Sequence, residues 1–522
     1  MKIFYVVELL LLQLCRHAVL SIITPSCPFP CQCFSATTVI CSDTKMKTLP
    51  VEIPSQATAL IVLASDLRQI ISQKHLGNLT KLVFLNNPVR NISHDAFEGL
   101  GNLQELEISG SPFLSLEAGT FSKLHKLTKL LLNSNKLRII APSIFDSLEK
   151  LEVLQLRANL LQDLHKALFH TLFNLQELNL SSNNLSTIHM GKLNKLKKLD
   201  LSLNQITDLP MDTFHGNPQL QTLSLQGNQI SKVSPGIFSY LNNLEELNLR
   251  NNKITMLSNG LFPSCLKKLT LRGNSMDHLS PKAFTDLHNI THLDLSENLL
   301  SFLPIKLFHN LSSLTHLDLS KNLLQELAST TFRGLFQIKL INLQENELTS
   351  LEADLFTNQT SMMRLSLARN RLENLPNDIF EPLDFQCLLK LHGNPWRCDC
   401  DLTYFHDWLS YYSRTVEDLS QVFCTNPQSL LGMSLTTINK EQLVCMNTSI
   451  SKTQAVSSNS GTRCSLQEAD GGVVVRCKLM KCTDLKLDMY LNQEDGEALK
   501  YTITLPSLEL FQCSNGTVVL TV

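Results

Sequence analysis

Two pairs of side chains invite a search for chemistry. His292 with Asp294 and His316 with Asp318 stand at the same offsets in two copies of the string THLDLS, 24 residues apart. If each string is a strand and the strands lie side by side, imidazoles and carboxylates fall on neighbouring rungs, close enough to share a metal ion. The repetition itself accounts for both pairs, because one unit copied twice places them there without any ligand. Hydrolytic zinc needs two His and a carboxylate at a spacing that leaves a coordination position open for water, and no HExxH string occurs among the 15 His. A GxSxG nucleophile elbow is absent too, as is a phosphate cradle of the form GxxxxGKS or GxxxxGKT. No catalytic residue, metal ligand or cofactor site is therefore expected, and the chain reads as a binding protein and not an enzyme.

Cysteine is the other reactive residue, and its placement is structural. Of 15 Cys, three groups of four stand out: Cys27, Cys31, Cys33 and Cys41; Cys398, Cys400, Cys424 and Cys445; Cys464, Cys477, Cys482 and Cys513. Clusters of four fit disulfides made in an oxidising compartment, and that compartment argues against the rival reading as zinc sites. Cys15 falls in the leader described next, which leaves Cys265 and Cys387 without an assigned partner.

Lys2, an apolar run from Ile3 to Leu14 and a polar break at Arg16 and His17 read as a secretory signal over residues 1–24, although Glu8 interrupts the run. The alternative, an uncleaved membrane-anchoring helix, suffers from an apolar segment too short to span a bilayer. No later stretch is long and apolar enough to span, so a soluble, secreted chain is expected. Sequons at Asn78, Asn91, Asn179, Asn184, Asn289, Asn310, Asn358, Asn447 and Asn515 fit the same route and are candidate glycosylation sites. With 45 Lys and Arg against 47 Asp and Glu, the chain lacks the basic excess that nucleic acid or an anionic membrane would attract.

The elements that must position these residues come from repetition. From Asn135 onward the pattern LxxLxLxxNxL recurs with Asn at 135, 159, 183, 204, 228, 252, 274, 298, 322, 346, 370 and 394, mostly 24 residues apart, with two shorter steps of 21 and 22. An earlier copy carries Asn87, and Ser65 and Ser111 stand in for the Asn in two more, giving about fifteen units over residues 57–394. In the unit from Leu314 to Leu335, Leu317 and Leu319 alternate with His316, Asp318 and Ser320, which predicts a short strand with leucines inward. One such unit loses roughly 1 to 2 kcal/mol per residue in backbone entropy, and its few apolar side chains return only about 1.5 to 3 kcal/mol each. It folds only by stacking, so the fold class is an α/β repeat: a leucine-rich-repeat solenoid, or horseshoe, with a parallel concave β-sheet. Its open ends need covers, which the cysteine groups supply as caps over residues 25–56 and 395–446. Residues 447–522 hold short β patterns such as GGVVVRC and YTITL and read as a small disulfide-linked β-rich module.

On the concave face, one rail runs Lys129, Val153, Glu177, Lys198, Thr222, Glu246, Lys268, His292, His316 and Arg364. A parallel rail runs Gln155, Asn179, Asp200, Ser224, Asn248, Thr270, Asp294, Asp318, Asn342 and Ser366. Such mixed charge on a rigid scaffold suits a protein partner, and Glu246, Lys268, His292, Asp294, His316 and Asp318 are the candidate contacts. A glycan on Asn179 would project into the concavity and block its middle.

The strings CPFPCQCF with Cys41, and NPWRCDCDLTYFHDWL with Cys424 and Cys445, resemble the caps of extracellular leucine-rich-repeat proteins. That resemblance implies the pairs Cys27–Cys33, Cys31–Cys41, Cys398–Cys424 and Cys400–Cys445. With NLTKLVFLNN near the start and the four-Cys tail, the layout from Cys27 to Val522 is similar to the family of large, non-catalytic carboxypeptidase N subunits. The resemblance implies a plasma protein that binds, stabilises and retains in circulation a zinc carboxypeptidase acting on C-terminal Lys or Arg, with the zinc in that partner and a hetero-oligomer as the working form. The alternative is a soluble extracellular binder of a receptor, ligand or matrix component.

Overall fold

The computed structural model describes residues 27–72 and 74–445, together with five strands beyond residue 462. The expected signal at 1–24 lies outside the described residues, as do Asn447, Cys482, Cys513 and Asn515. The chain forms two compact units, one ending at Cys445 and one from Met446 to Val522.

In the first unit every copy of the leucine pattern becomes a strand of three to five residues, from Ala59–Leu63 to Leu388–Lys390, fifteen in all. Each pairs in parallel with the next in chain order, so equal positions of successive repeats face one another: His292 with His316, and Asp294 with Asp318. At the start Cys31–Cys33 runs antiparallel to Thr38–Cys41, which pairs in parallel with Ala59–Leu63. At the end Val416–Glu417 pairs with Leu388–Lys390, completing a sheet of 18 strands. The alternation is as expected, with Leu293 and Leu317 buried between half-buried polar neighbours.

Two ladders run through the core behind this sheet. The repeat Asn is buried in each copy and ties its own coil to the preceding one: Asn322 Nδ2 donates to Leu295 O at 3.0 Å and Leu319 O at 3.0 Å, and its Oδ1 accepts from Leu300 N at 3.1 Å. Near the first cap Ser65 replaces Asn, and both its amide and its hydroxyl donate to Asn87 Oδ1. On the convex side a phenylalanine spine recurs, with ring centroids 6.2 Å apart for Phe214–Phe238 and 5.9 Å for Phe332–Phe356. Met190 stands in this position in the 21-residue repeat and is buried there. The return segments are too short to wind several α-helical turns, so the convex side is built of tight turns, with 3-10 turns at Lys74–Leu76 and Ala353–Phe356.

The first end is closed by Cys27–Cys33 and Cys31–Cys41, the second by Cys398–Cys424 and Cys400–Cys445. The second cap carries the helix Thr403–Tyr412, whose Phe405, Trp408 and Leu409 are buried. Trp396 is fully buried, and its indole N–H donates to Leu391 O at 3.3 Å. That carbonyl also accepts from Asn394, so the tryptophan supplies the second donor that the Asn of a further repeat would bring. Trp396 thus both fills the core of the cap and ends the asparagine ladder.

Cys265 and Cys387 are both unpaired. Cys387 is buried in the core next to the last repeat strand, and burial pushes its thiol up to about 12. Cys265 is half-buried, with Sγ 3.2 Å from Leu244 O. In the second unit, Arg463–Ala469 and Gly472–Lys478 form an antiparallel pair in which Cys464 and Cys477 are register partners. Thr517–Thr521 joins that sheet, and Lys486–Asn492 pairs with Ala498–Thr504.

Candidate functional site

The concave face gathers the predicted contact residues on four consecutive strands, Glu246–Asn248, Lys268–Thr270, His292–Asp294 and His316–Asp318. Parallel register with no stagger sets each side chain beside its counterpart about 4.8 Å away. Opposite charges at equal positions therefore meet. Glu246 and Lys268 form an ion pair at 2.7 Å, and Glu177 and Lys198 form one at 2.6 Å. Farther along, Glu417 from the second cap takes Arg364 at 3.1 Å and Lys390 at 3.3 Å.

A three-member network lies beside this rail. Arg272 makes a bidentate contact with Glu297, at 2.8 and 3.1 Å, and Lys321 reaches the same carboxylate at 3.0 Å. These bonds hold Glu297 below the usual carboxylate range. Sequence reasoning did not single out this trio, although opposite charges about one repeat apart were available as the signal.

His292 and His316 stack face to face, with centroids 4.2 Å apart and planes 7° from parallel. Each Nδ1 meets the hydroxyl of the preceding threonine, Thr291 at 2.9 Å and Thr315 at 2.8 Å. Those hydroxyls in turn donate to backbone carbonyls, Thr291 to Lys267 O at 3.0 Å and Thr315 to Thr291 O at 2.8 Å. A hydroxyl has one proton to give, so each threonine oxygen must accept from its histidine and each Nδ1 carries the hydrogen. Both Nε2 atoms are then lone-pair acceptors. Burial holds both imidazoles below the ordinary histidine value, with the neighbouring ring and Lys268 adding to the effect at His292 and Lys339 at His316. Stacked rings aim their lone pairs in parallel instead of at one point, a poor arrangement for a shared metal ion.

Asp294 and Asp318 sit on the next rung. Asp294 Oδ1 accepts from Ser296 N at 3.0 Å and Ser296 Oγ at 2.6 Å, and Asp318 Oδ1 accepts equivalently from Ser320 at 2.9 and 2.6 Å. Asp318 Oδ2 also accepts from Asn342 at 3.0 Å. Among the described residues neither carboxylate has a cation partner within ion-pair distance. Burial pushes Asp294 upward, the serine bonds pull it back, and Asp318 adds repulsion. Beside His316 opens a hollow of about 370 Å³ whose lining includes Leu340, Met363, Arg364 and Leu388.

Elsewhere, Asp399, Cys400 and Asp401 lie close enough to hold an ion. Cys400 is in a disulfide, and Arg397 forms ion pairs with both carboxylates, at 2.6 and 2.9 Å, so these groups are already engaged. Of the described sequons, Asn78, Asn91, Asn289 and Asn310 are exposed and Asn184 and Asn358 half-buried. Asn179 lies on the concave strand Glu177–Asn179, where its Oδ1 accepts from Ser181. Among the described residues no helix is long and apolar enough to cross a membrane.

Comparison with known proteins places this geometry. The chain is similar to carboxypeptidase N subunit 2 from Homo sapiens, 34% identical over 118 residues, and from Mus musculus, 35% identical over 125 residues. These stretches are 19% and 21% of the chain, and the chain spans about a fifth, 22%, of those relatives' length. The resemblance read from the caps and tail is supported, over a shorter stretch than Cys27 to Val522. Among solved structures, a leucine-rich-repeat protein of Leptospira interrogans matches with a TM-score of 0.61 at 25% identity, over 72% of this chain and 94% of its own. A chain of the Drosophila Toll–Spatzle complex shares the fold, with a TM-score of 0.58 at 19% identity over 78% of this chain and 68% of its own. Matches to the leucine rich repeat family run without a break from residue 102 to residue 372, more than half of the sequence, and the chain belongs to that family.

Proposed function

We propose that this chain is a secreted glycoprotein that acts as the non-catalytic subunit of a zinc carboxypeptidase removing C-terminal Lys or Arg from peptides. The similarity to carboxypeptidase N subunit 2 in two mammals carries this reading. The architecture supports it: a long rigid sheet with a polar concave face offers contact area, and its own concave residues are set up to bind and not to react. A subunit that binds only the folded enzyme stabilises it by mass action, about 2.7 kcal/mol when its concentration is 100 times the Kd.

The test is co-secretion of the full chain with a basic-residue carboxypeptidase catalytic subunit, followed by size-exclusion chromatography and a thermal inactivation assay. Co-elution with a longer half-life of the enzyme at 37 °C is the expected result. Separate elution with an unchanged half-life refutes the subunit reading and leaves a soluble binder of another extracellular protein in its place.

A further inference from the structure

Between Glu246 and Lys390 most charges of the concave strands are paired, whereas Lys339, at the edge of the hollow beside His316, has no carboxylate within ion-pair distance among the described residues. Lys268 is held by Glu246, Arg272 and Lys321 by Glu297, and Arg364 and Lys390 by Glu417. The strand carboxylates left without an ionic partner among the described residues are Asp294 and Asp318, which form one block with His292 and His316. The block offers only acceptors: two imidazole Nε2 lone pairs, fixed by the threonine relays, and two half-buried carboxylates on the adjoining rung. A block of acceptors that carries net negative charge is complementary to a donor-rich cation, and of the flanking cations Lys268, Arg272 and Arg364 are already paired.

The second feature adjoins the first. On the rail where earlier repeats carry polar residues, Leu340 and Leu388 follow His316, and with Met363 they line the hollow that His316 borders. Lys339 and Arg364 stand in the same lining and repel a further cation, whereas an apolar side chain gains by burial against the leucines and Met363.

We propose that the concave face from His292 to Leu388 binds an extended segment of a protein partner that presents an arginine or lysine to the His–Asp block and an apolar side chain to the hollow beside it. The proposal rests on the reading of the chain as a binding subunit and names the chemistry that its partner must display. It also carries a direction with pH. Glu246, Lys268 and Arg272 face the block from one side and Lys339 and Arg364 from the other, and no further histidine lies among them. Acidification converts both imidazoles from acceptors to cations, so a basic ligand is released as pH falls below the ordinary histidine range.

The experiment uses the full-length secreted chain labelled with 13C at histidine Cε1 and three probes: acetyl-Gly-Arg-Phe-Gly amide and its counterparts with Gln or Glu in place of Arg. The His292 and His316 resonances are assigned from His292→Asn and His316→Asn. The Arg peptide is expected to shift both resonances and to bind at least tenfold more tightly than the Glu peptide. In Asp294→Asn with Asp318→Asn, which keeps the oxygen that accepts from each serine, that preference should fall to threefold or less. In Leu340→Gln binding should weaken while the preference persists. Failure of the Arg peptide to move either resonance, equal binding of the Glu peptide, or an unchanged preference in the double Asn variant would overturn the proposal. Co-elution of the unaltered chain with the carboxypeptidase subunit is scored separately: co-elution without a peptide response condemns this site alone, and a peptide response without co-elution condemns the subunit reading alone.

Discussion

Replacing one ladder asparagine tests how the solenoid is held together. Asn322 makes two good donations and one longer one, to Ser320 O at 3.3 Å, and accepts from Leu300 N. The losses on Asn322→Ala are unequal. Leu295 O still receives Asn298 at 3.0 Å and Leu319 O still receives Asn346 at 3.0 Å, so each carbonyl keeps a donor. Leu300 N–H keeps nothing and is buried, which costs about 1 to 3 kcal/mol, and the lost bonds add about 0.5 to 1.5 kcal/mol net apiece. With the small void left by the amide, a loss of about 3 kcal/mol is expected from urea denaturation followed by far-UV circular dichroism. Asn322→Asp sharpens the test, since it keeps the acceptor for Leu300 but turns a second oxygen towards two carbonyls at 3.0 Å. It should be worse than Ala at pH 7.5 and recover towards wild type on acidification, as the protonated acid regains one donor. A loss under about 1 kcal/mol for Ala, or an Asp variant insensitive to pH, would refute the account of the ladder as a set of obligatory bonds.

Further outcomes follow from single features. Gln359 fills a fully buried position in the convex core where the preceding repeat has Leu335, and its Oε1 has no partner. Because Leu335 N already serves Phe332 O, Gln359→Leu should stabilise by about 1 to 2 kcal/mol in the same denaturation assay, and a destabilisation would show that the amide bond outweighs the orphan oxygen. Trp396→Phe keeps an aromatic ring but removes the donor to Leu391 O, so about 1 kcal/mol should be lost; Tm unchanged in calorimetry would remove the ladder-ending role. His292 and His316 have folded pKa values below the unfolded one, so their contribution is full above about 6.5 and declines as pH falls through the folded values. Tm should accordingly drop between pH 7.5 and 5, and the drop should shrink in a variant with both replaced by Asn; equal slopes would contradict this. Cys387 should resist iodoacetamide at pH 8 in the folded chain and react once denatured, as read by mass spectrometry.

The solenoid was legible because its leucines follow two periods at once. Alternation within LDL makes a strand, and the 24-residue step makes the strands neighbours, so register needed no further information. The concave rails followed by counting. The convex side was less legible, since an interval such as Gln325 to Leu335 holds few apolar residues and no sustained helical period. Its phenylalanines at 214, 238, 262, 308, 332 and 356 recur with the repeat, a signal for the spine that the reading of the leucines left unused. What pattern could not disclose depends on reach. Whether Thr291 turns to its own histidine, which lysine Glu417 meets across the cap boundary, and that Cys387 faces inward are facts of side-chain geometry.

Strict register makes a repeat sheet an electrostatic filter. A charge placed at one repeat position faces the same position of its neighbours at about 4.8 Å, so a protein of this kind must alternate signs along a rail or bear repulsion between copies. Lys198 beside Glu177 and Lys268 beside Glu246 follow the first course, and such exposed pairs add little stability. What they do is mute the field over those repeats. Asp294 beside Asp318 follows the second course: two like charges face each other, supported only by serine and asparagine donors. Nothing in the folding of the repeat demands the second carboxylate, since Asn342 occupies the next rung and caps Gln344 N at 3.2 Å with a neutral oxygen. A repulsive pair kept where a neutral residue would serve sets two unpaired carboxylates on adjacent rungs, and so strengthens the attraction for a cation on that span of the concave face.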